Sequence, residues 1–228
     1  MVIQIKGCIP VCLVALLLLL SCTRSVCGQG ADSRLPEQVI RKVKIKEAAN
    51  VHLALSALAN EYGMPIGLEV AAEGGEGPKI SLDLQGRPLR EVLDAITAQD
   101  PRYEWKLVDS VINVFPKEGR DEFLRDLLET RVSRFAIEKG TGLFDIRRLI
   151  TEAPEVRAKL ERAGISHGVG GFVTNADFAE AAPGFALDVS GLTLREILNS
   201  VIAKSKTKYW IVNRLGGEHD TSKLIINF

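Results

Sequence analysis

Three histidines, four cysteines and two aspartates in matching surroundings are the side chains of this 228-residue chain best suited to chemistry. His52, His167 and His219 have no ligand spacing among themselves, so no metal site is expected. They read as solvated side chains at a helix start, a loop and a turn. Ser166 beside His167 is not a nucleophile with its base, because such partners come from distant points of the chain. Asp83 and Asp188 suggest paired carboxylates for acid–base work. Strand alternation, however, turns both away from the apolar face. The run from Gly164 to Gly171 lacks the G-x-G-x-x-G spacing and a following Lys-Ser or Lys-Thr, so it reads as a surface loop and not a phosphate cradle. Cys8, Cys12, Cys22 and Cys27 all precede residue 28, which leaves no thiol chemistry or disulfide for anything downstream. The chain is therefore expected to be no enzyme and to use no cofactor.

Charge narrows the partners. The 29 basic and 29 acidic residues cancel, so there is no net field to hold a polyanion, and nucleic acid is not expected as a partner. The basic run from Arg41 to Lys46 is spread by alternation along one face of one strand, where lysines guard a sheet edge. The amino terminus reads as an export signal over 1–28. Lys6 supplies its charge, and residues 11–20 form an apolar stretch too short to span a bilayer. Leu19-Leu20-Ser21-Cys22 resembles the lipobox of bacterial lipoproteins, which would make 1–21 the signal and Cys22 the site of lipid attachment. Cleavage near Val26-Cys27-Gly28 is a second reading and an uncleaved anchor a third. All three place the remainder outside the cytoplasm, and it is expected in the periplasm or on the outer membrane, with membrane contact only through a lipid anchor. Without Lys6 and Arg24 that remainder carries 27 basic and 29 acidic residues.

A repeat organises the exported part. Residues 80–93 and 185–198 align without a gap, with identities at Leu82/Leu187, Asp83/Asp188, Gly86/Gly191, Leu89/Leu194, Arg90/Arg195, Glu91/Glu196 and Leu93/Leu198. Trp105 and Trp210 keep the same 105-residue offset. A period this long implies tandem modules and not a solenoid. In each copy, alternating apolar residues predict a half-buried strand, glycine a turn, and Leu89, Val92, Leu93 and Ile96 a helix face. Thr193-Leu-Arg-Glu196 is a capping box. Two strands follow, over 103–107 and 111–115 in the first copy and over 209–212 and 224–228 in the second. Upstream, a strand over 39–45, a helix over 51–62 and a strand over 66–70 complete the order β-α-β-β-α-β-β.

This pattern resembles the secretin and TonB short N-terminal domain, a small module at the front of outer-membrane secretion pores and some transporters. The resemblance covers residues 35–116 and, in the second copy, 185 onward. It implies an α+β fold of two related modules, 36–118 and 119–228, the second with a divergent insertion at 144–184. It also implies a module without catalytic residues that contacts other envelope proteins, such as a secretion or transport component. With Phe228 last, neither a pore nor a transporter barrel is expected within the chain. The terminal strand, with Leu224, Ile225, Ile226 and Phe228, is the expected partner-binding edge. The alternatives are a structural lipoprotein or a binder of small ligands and, less favoured, an enzyme whose polar groups converge only in three dimensions.

Overall fold

The computed structural model describes residues 34–72, 77–165, 184–216 and 222–228. Strand β1 (Val39–Ala48) buries Ile40, Val43 and Ile45 and leaves Arg41, Lys42, Lys44 and Lys46 exposed. Asn50 caps helix α1 (Val51–Tyr62) by accepting the Leu53 amide, and Gly63 at φ 65° ends it. Strand β2 (Ile66–Glu69) follows, buried at every position. Strand β3 (Ile80–Pro88) pairs antiparallel with β1. The glycine turn expected at Gly86 lies inside this strand, and pairing continues to Pro88, which stands as the N-cap of α2 (Leu89–Gln99). Strands β4 (Tyr103–Val108) and β5 (Val111–Pro116) form a hairpin across Asp109 and Ser110. Both turn residues have positive φ, as a tight primed turn requires.

The second half opens with α3 (Glu122–Leu128), capped by Asp121, and the short strands β6 (Arg131–Val132) and β7 (Phe135–Ile137). Helices α4 (Leu143–Glu152) and α5 (Pro154–Arg162) come next. Strands β8 (Leu187–Val189) and β9 (Leu192–Thr193) lead into α6 (Leu194–Lys204), whose capping box is present as expected. Strands β10 (Tyr209–Leu215) and β11 (Lys223–Asn227) close the fold.

The pairing repeats with the sequence. Ile40↔Arg87, Val43↔Leu84 and Ile45↔Leu82 in the first half correspond to Val132↔Leu192, Phe135↔Val189 and Ile137↔Leu187 in the second. The first strand of the second half was not legible in the insertion because it lies upstream of it, at 131–137. Helix α4 starts six residues after Ile137, just as α1 starts six after Ile45, so it keeps the chain position of α1. The extra length of the second half therefore comes after Glu152.

One sheet crosses the expected boundary at 118/119. Its order is β11-β10-β2-β5-β4, with β10 parallel to β2, β2 parallel to β5, and antiparallel pairs at both ends. Alternation gives its two faces to two cores. Ile66, Leu68, Ile112, Val114, Tyr209 and Ile211 join the core of α1 and α2. Val111, Trp210, Val212, Leu224 and Ile226 join the core of α3 to α6. The fold class is α+β, as read from the sequence.

Candidate functional site

Strand β11 is an edge of the five-stranded sheet, hydrogen-bonded to β10 on one side. Among the described residues, no strand lies on its other side. Alternation divides its residues. Leu224 and Ile226 are buried in the second core, where half-buried Phe228 packs against them. Ile225 and Asn227 take the opposite face and are half-buried. Of the four residues expected at a binding edge, Leu224, Ile225 and Ile226 lie on β11 and Phe228 directly follows it, but the side chains of Leu224, Ile226 and Phe228 serve the core, and the backbone is what the edge offers. The opposite edge, β4, carries the ion pair Lys106–Glu104 at 3.7 Å. A charged edge of that kind resists pairing with another strand.

A buried ion cluster ties the halves together behind this sheet. Glu69, at the end of β2, is fully buried and receives Arg120 through bonds of 2.5 and 2.6 Å and Arg195 at 2.9 Å. Arg195 also donates to Glu129 at 3.0 Å. Hydrogen bonding to Glu69 raises the Arg120 pKa. Sequence reasoning missed this cluster. Its signal was Glu69 itself, a carboxylate inside an apolar strand that must find a cation once buried.

A cleft of about 340 Å³ opens at the carboxyl ends of β2 and β10, beside the start of α1. Asn50, His52, Tyr103, Asn213 and Arg214 line it with Leu68 and Ile211, which mixes residues of both halves. Its lining among the described residues contains no carboxylate. Arg214 is engaged by Asp121 at 3.4 Å and Ser222 at 3.2 Å. His52 is half-buried and not the solvated side chain expected. It stacks on Tyr209, with ring centroids 5.6 Å apart and planes 6° from parallel. Burial lowers its pKa below 6.5.

The remaining chemical candidates are separate. Asp83 and Asp188 are exposed on two different ladders, facing Lys44 at 3.7 Å and Arg134 at 3.0 Å. Among the described residues, no group of three His, Cys, Asp or Glu side chains is placed to hold a metal ion. None of the described helices is long and apolar enough to cross a membrane. The signal segment with Cys22, and also Ser166, His167, Gly168–Gly171 and His219, lie outside the described residues. Compared with protein-family models, curated proteins and solved structures, the chain matches none.

Proposed function

We propose that this chain is an exported, non-catalytic interaction module that binds other proteins of the bacterial envelope by strand addition at β11. The observation that carries the reading is the outer side of β11, on which no strand lies among the described residues, an edge built from Leu224-Ile-Ile-Asn-Phe228 with no charged residue after Lys223. In strand addition the backbone supplies affinity and flanking side chains supply selectivity. The lipobox-like Ser21-Cys22 and the resemblance to the short N-terminal domains of secretins and transporters support the location and the class of partner. Ile226→Pro removes a backbone donor from the strand, and Ile225→Lys places a charge on its half-buried face. Both should lose capture of envelope proteins by the immobilised chain while circular dichroism stays native. Undiminished capture by both variants would place the binding surface elsewhere.

The cleft beside His52 favours a second reading, binding of a small ligand between the halves. It would be supported by a thermal shift with a metabolite panel that His52→Ala abolishes.

A further inference from the structure

The outward face of the β1·β3 ladder carries charge of one sign. Val43 and Ile45 point into the first core, so alternation turns Lys42, Lys44 and Lys46 outward, and all three are exposed. Lys44 meets Asp83 at 3.7 Å, with both side chains about half-exposed. Among the described residues, Lys42 and Lys46 have no carboxylate partner. Arg41 and Arg87 add exposed cations on the same two strands, whose only acidic residues are Glu47 and Asp83. Alternate residues of a strand stand roughly 6.6 Å apart, inside the Debye length of about 8 Å at physiological salt, so the three lysines act as one field.

The second half shows that the fold does not need this row. By the register shared between the halves, Lys42, Lys44 and Lys46 correspond to Arg134, Ala136 and Glu138. Arg134 is paired with Asp188 at 3.0 Å, and the row as a whole is not basic. Nor does guarding an edge require it. Charge of either sign blocks strand pairing, as Glu104 and Lys106 do on β4, whereas a row of one sign attracts a surface of the other.

We infer that the lysine face of β1 lies against anionic phospholipid headgroups, a second membrane contact beside the lipid anchor expected at Cys22. This rests on the export and lipidation reading and is independent of β11. Charge complementarity selects an anionic partner, and position in the chain selects the bilayer. Val39, the first residue of β1, follows Cys22 by 17 residues, so a lipid on Cys22 holds this face close to the headgroups at high effective concentration. A lipid chain and a basic patch then act as two signals for one surface. Across from the lysines, β3 turns Ser81, Asp83 and Gln85 outward, all polar. The contact therefore stays at the level of the headgroups, is electrostatic, and weakens with salt.

The test mixes the full chain with vesicles of phosphatidylcholine, either alone or with about 30% phosphatidylglycerol. It reads the rate at which a water-soluble amine reagent modifies each lysine, resolved by peptide mass spectrometry. With the anionic vesicles, Lys42, Lys44 and Lys46 should react about fivefold more slowly at about 0.1 M salt and recover at about 0.5 M. Neutral vesicles should leave them unchanged. Lys139 and Lys223, exposed elsewhere, should react alike throughout. Lys42→Gln with Lys46→Gln, both at exposed positions, should return Lys44 to its ordinary rate on anionic vesicles. Equal rates with both kinds of vesicle, equal slowing of every lysine, or slowing that salt does not relieve would overturn the inference. So would protection of these lysines by lipid-free envelope extract when anionic vesicles give none, which would make the partner an acidic protein. If the lysines are protected but the export reporter is silent, headgroup binding stands and the export reading falls. If the reporter is active and the lysines stay reactive on anionic vesicles, export stands and this contact falls.

Discussion

The indole N–H of Trp210 donates to Asn199 Oδ1 over 2.9 Å, and both side chains are buried. The same bond, spanning the same 11 residues, joins Trp105 to Asp94 over 2.8 Å. It ties α2 to β4 in the first half and α6 to β10 in the second. The two tryptophans differ in surroundings, because only Trp210 lies across a strand of the other half. A Cβ on Gly67 would stand 2.1 Å from its ring, so glycine is required where β2 passes under it.

Gly67→Ala should therefore destabilise the chain by about 1–3 kcal/mol, the usual cost of overpacking a core. Denaturant melts measure the loss, and the Trp210 emission should shift as the ring moves. An unchanged midpoint would mean that β2 and β10 are not held this closely.

The repeated arginines should behave differently. Arg195 belongs to the buried cluster on Glu69, whereas Arg90 pairs at the surface with Glu37, both side chains about half-exposed. Arg195→Ala leaves a buried carboxylate short of a cation and should cost about 3–5 kcal/mol. Arg90→Ala should cost less than about 1 kcal/mol. Equal losses in urea melts would contradict the burial difference.

Stability should fall on mild acidification through His52. Its pKa is lowered in the folded chain, so below 6.5 the unfolded state binds the proton more readily, and protonation opposes folding. The loss begins as pH drops through 6.5 and stops growing once pH passes below the folded value. Carboxylates held low by their partners, Glu155 by Ser133 and Asp188 by Arg134, lose their contribution in a more acidic range, below their ordinary 4.5 and 3.8. His52→Gln should flatten the stability curve between about pH 7 and pH 5 and leave the more acidic part unchanged. Superimposable curves for the two proteins would remove His52 as the cause.

Export is a separate expectation with its own readout. Residues 1–35 fused to a reporter active only outside the cytoplasm should give signal. Cys22→Ala should then release the full chain from membranes. A silent, well-expressed reporter contradicts export, and unchanged fractionation of the Cys22 variant favours cleavage near Gly28.

Much of the fold was legible because its signals are local. The alternation of Ile80, Leu82 and Leu84, the capping box at Thr193 and the turn at Asp109-Ser110 each depend on neighbours in the chain, and each stands where it was expected. The strand over 131–137 was harder to see, since Val132, Phe135 and Ile137 slip out of strict alternation. Ile40, Val43 and Ile45 share that slip, and the shared spacing was the available signal. The joining of β10 to β2 was not legible at all. Strand partners far apart in sequence leave no period, and only the small Gly67 opposite the large Trp210 hinted at it. At the candidate site, the edge strand was read directly from its apolar run, while the buried Glu69 cluster needed three distant segments to meet.

The most direct measurement of strand addition is backbone amide hydrogen exchange on the chain, free and bound to the envelope protein it captures. The account predicts new protection at residues 224–228, with exchange in β4 unchanged. Protection that appears around the His52 cleft or along β4, with β11 exchanging as in the free chain, would contradict it.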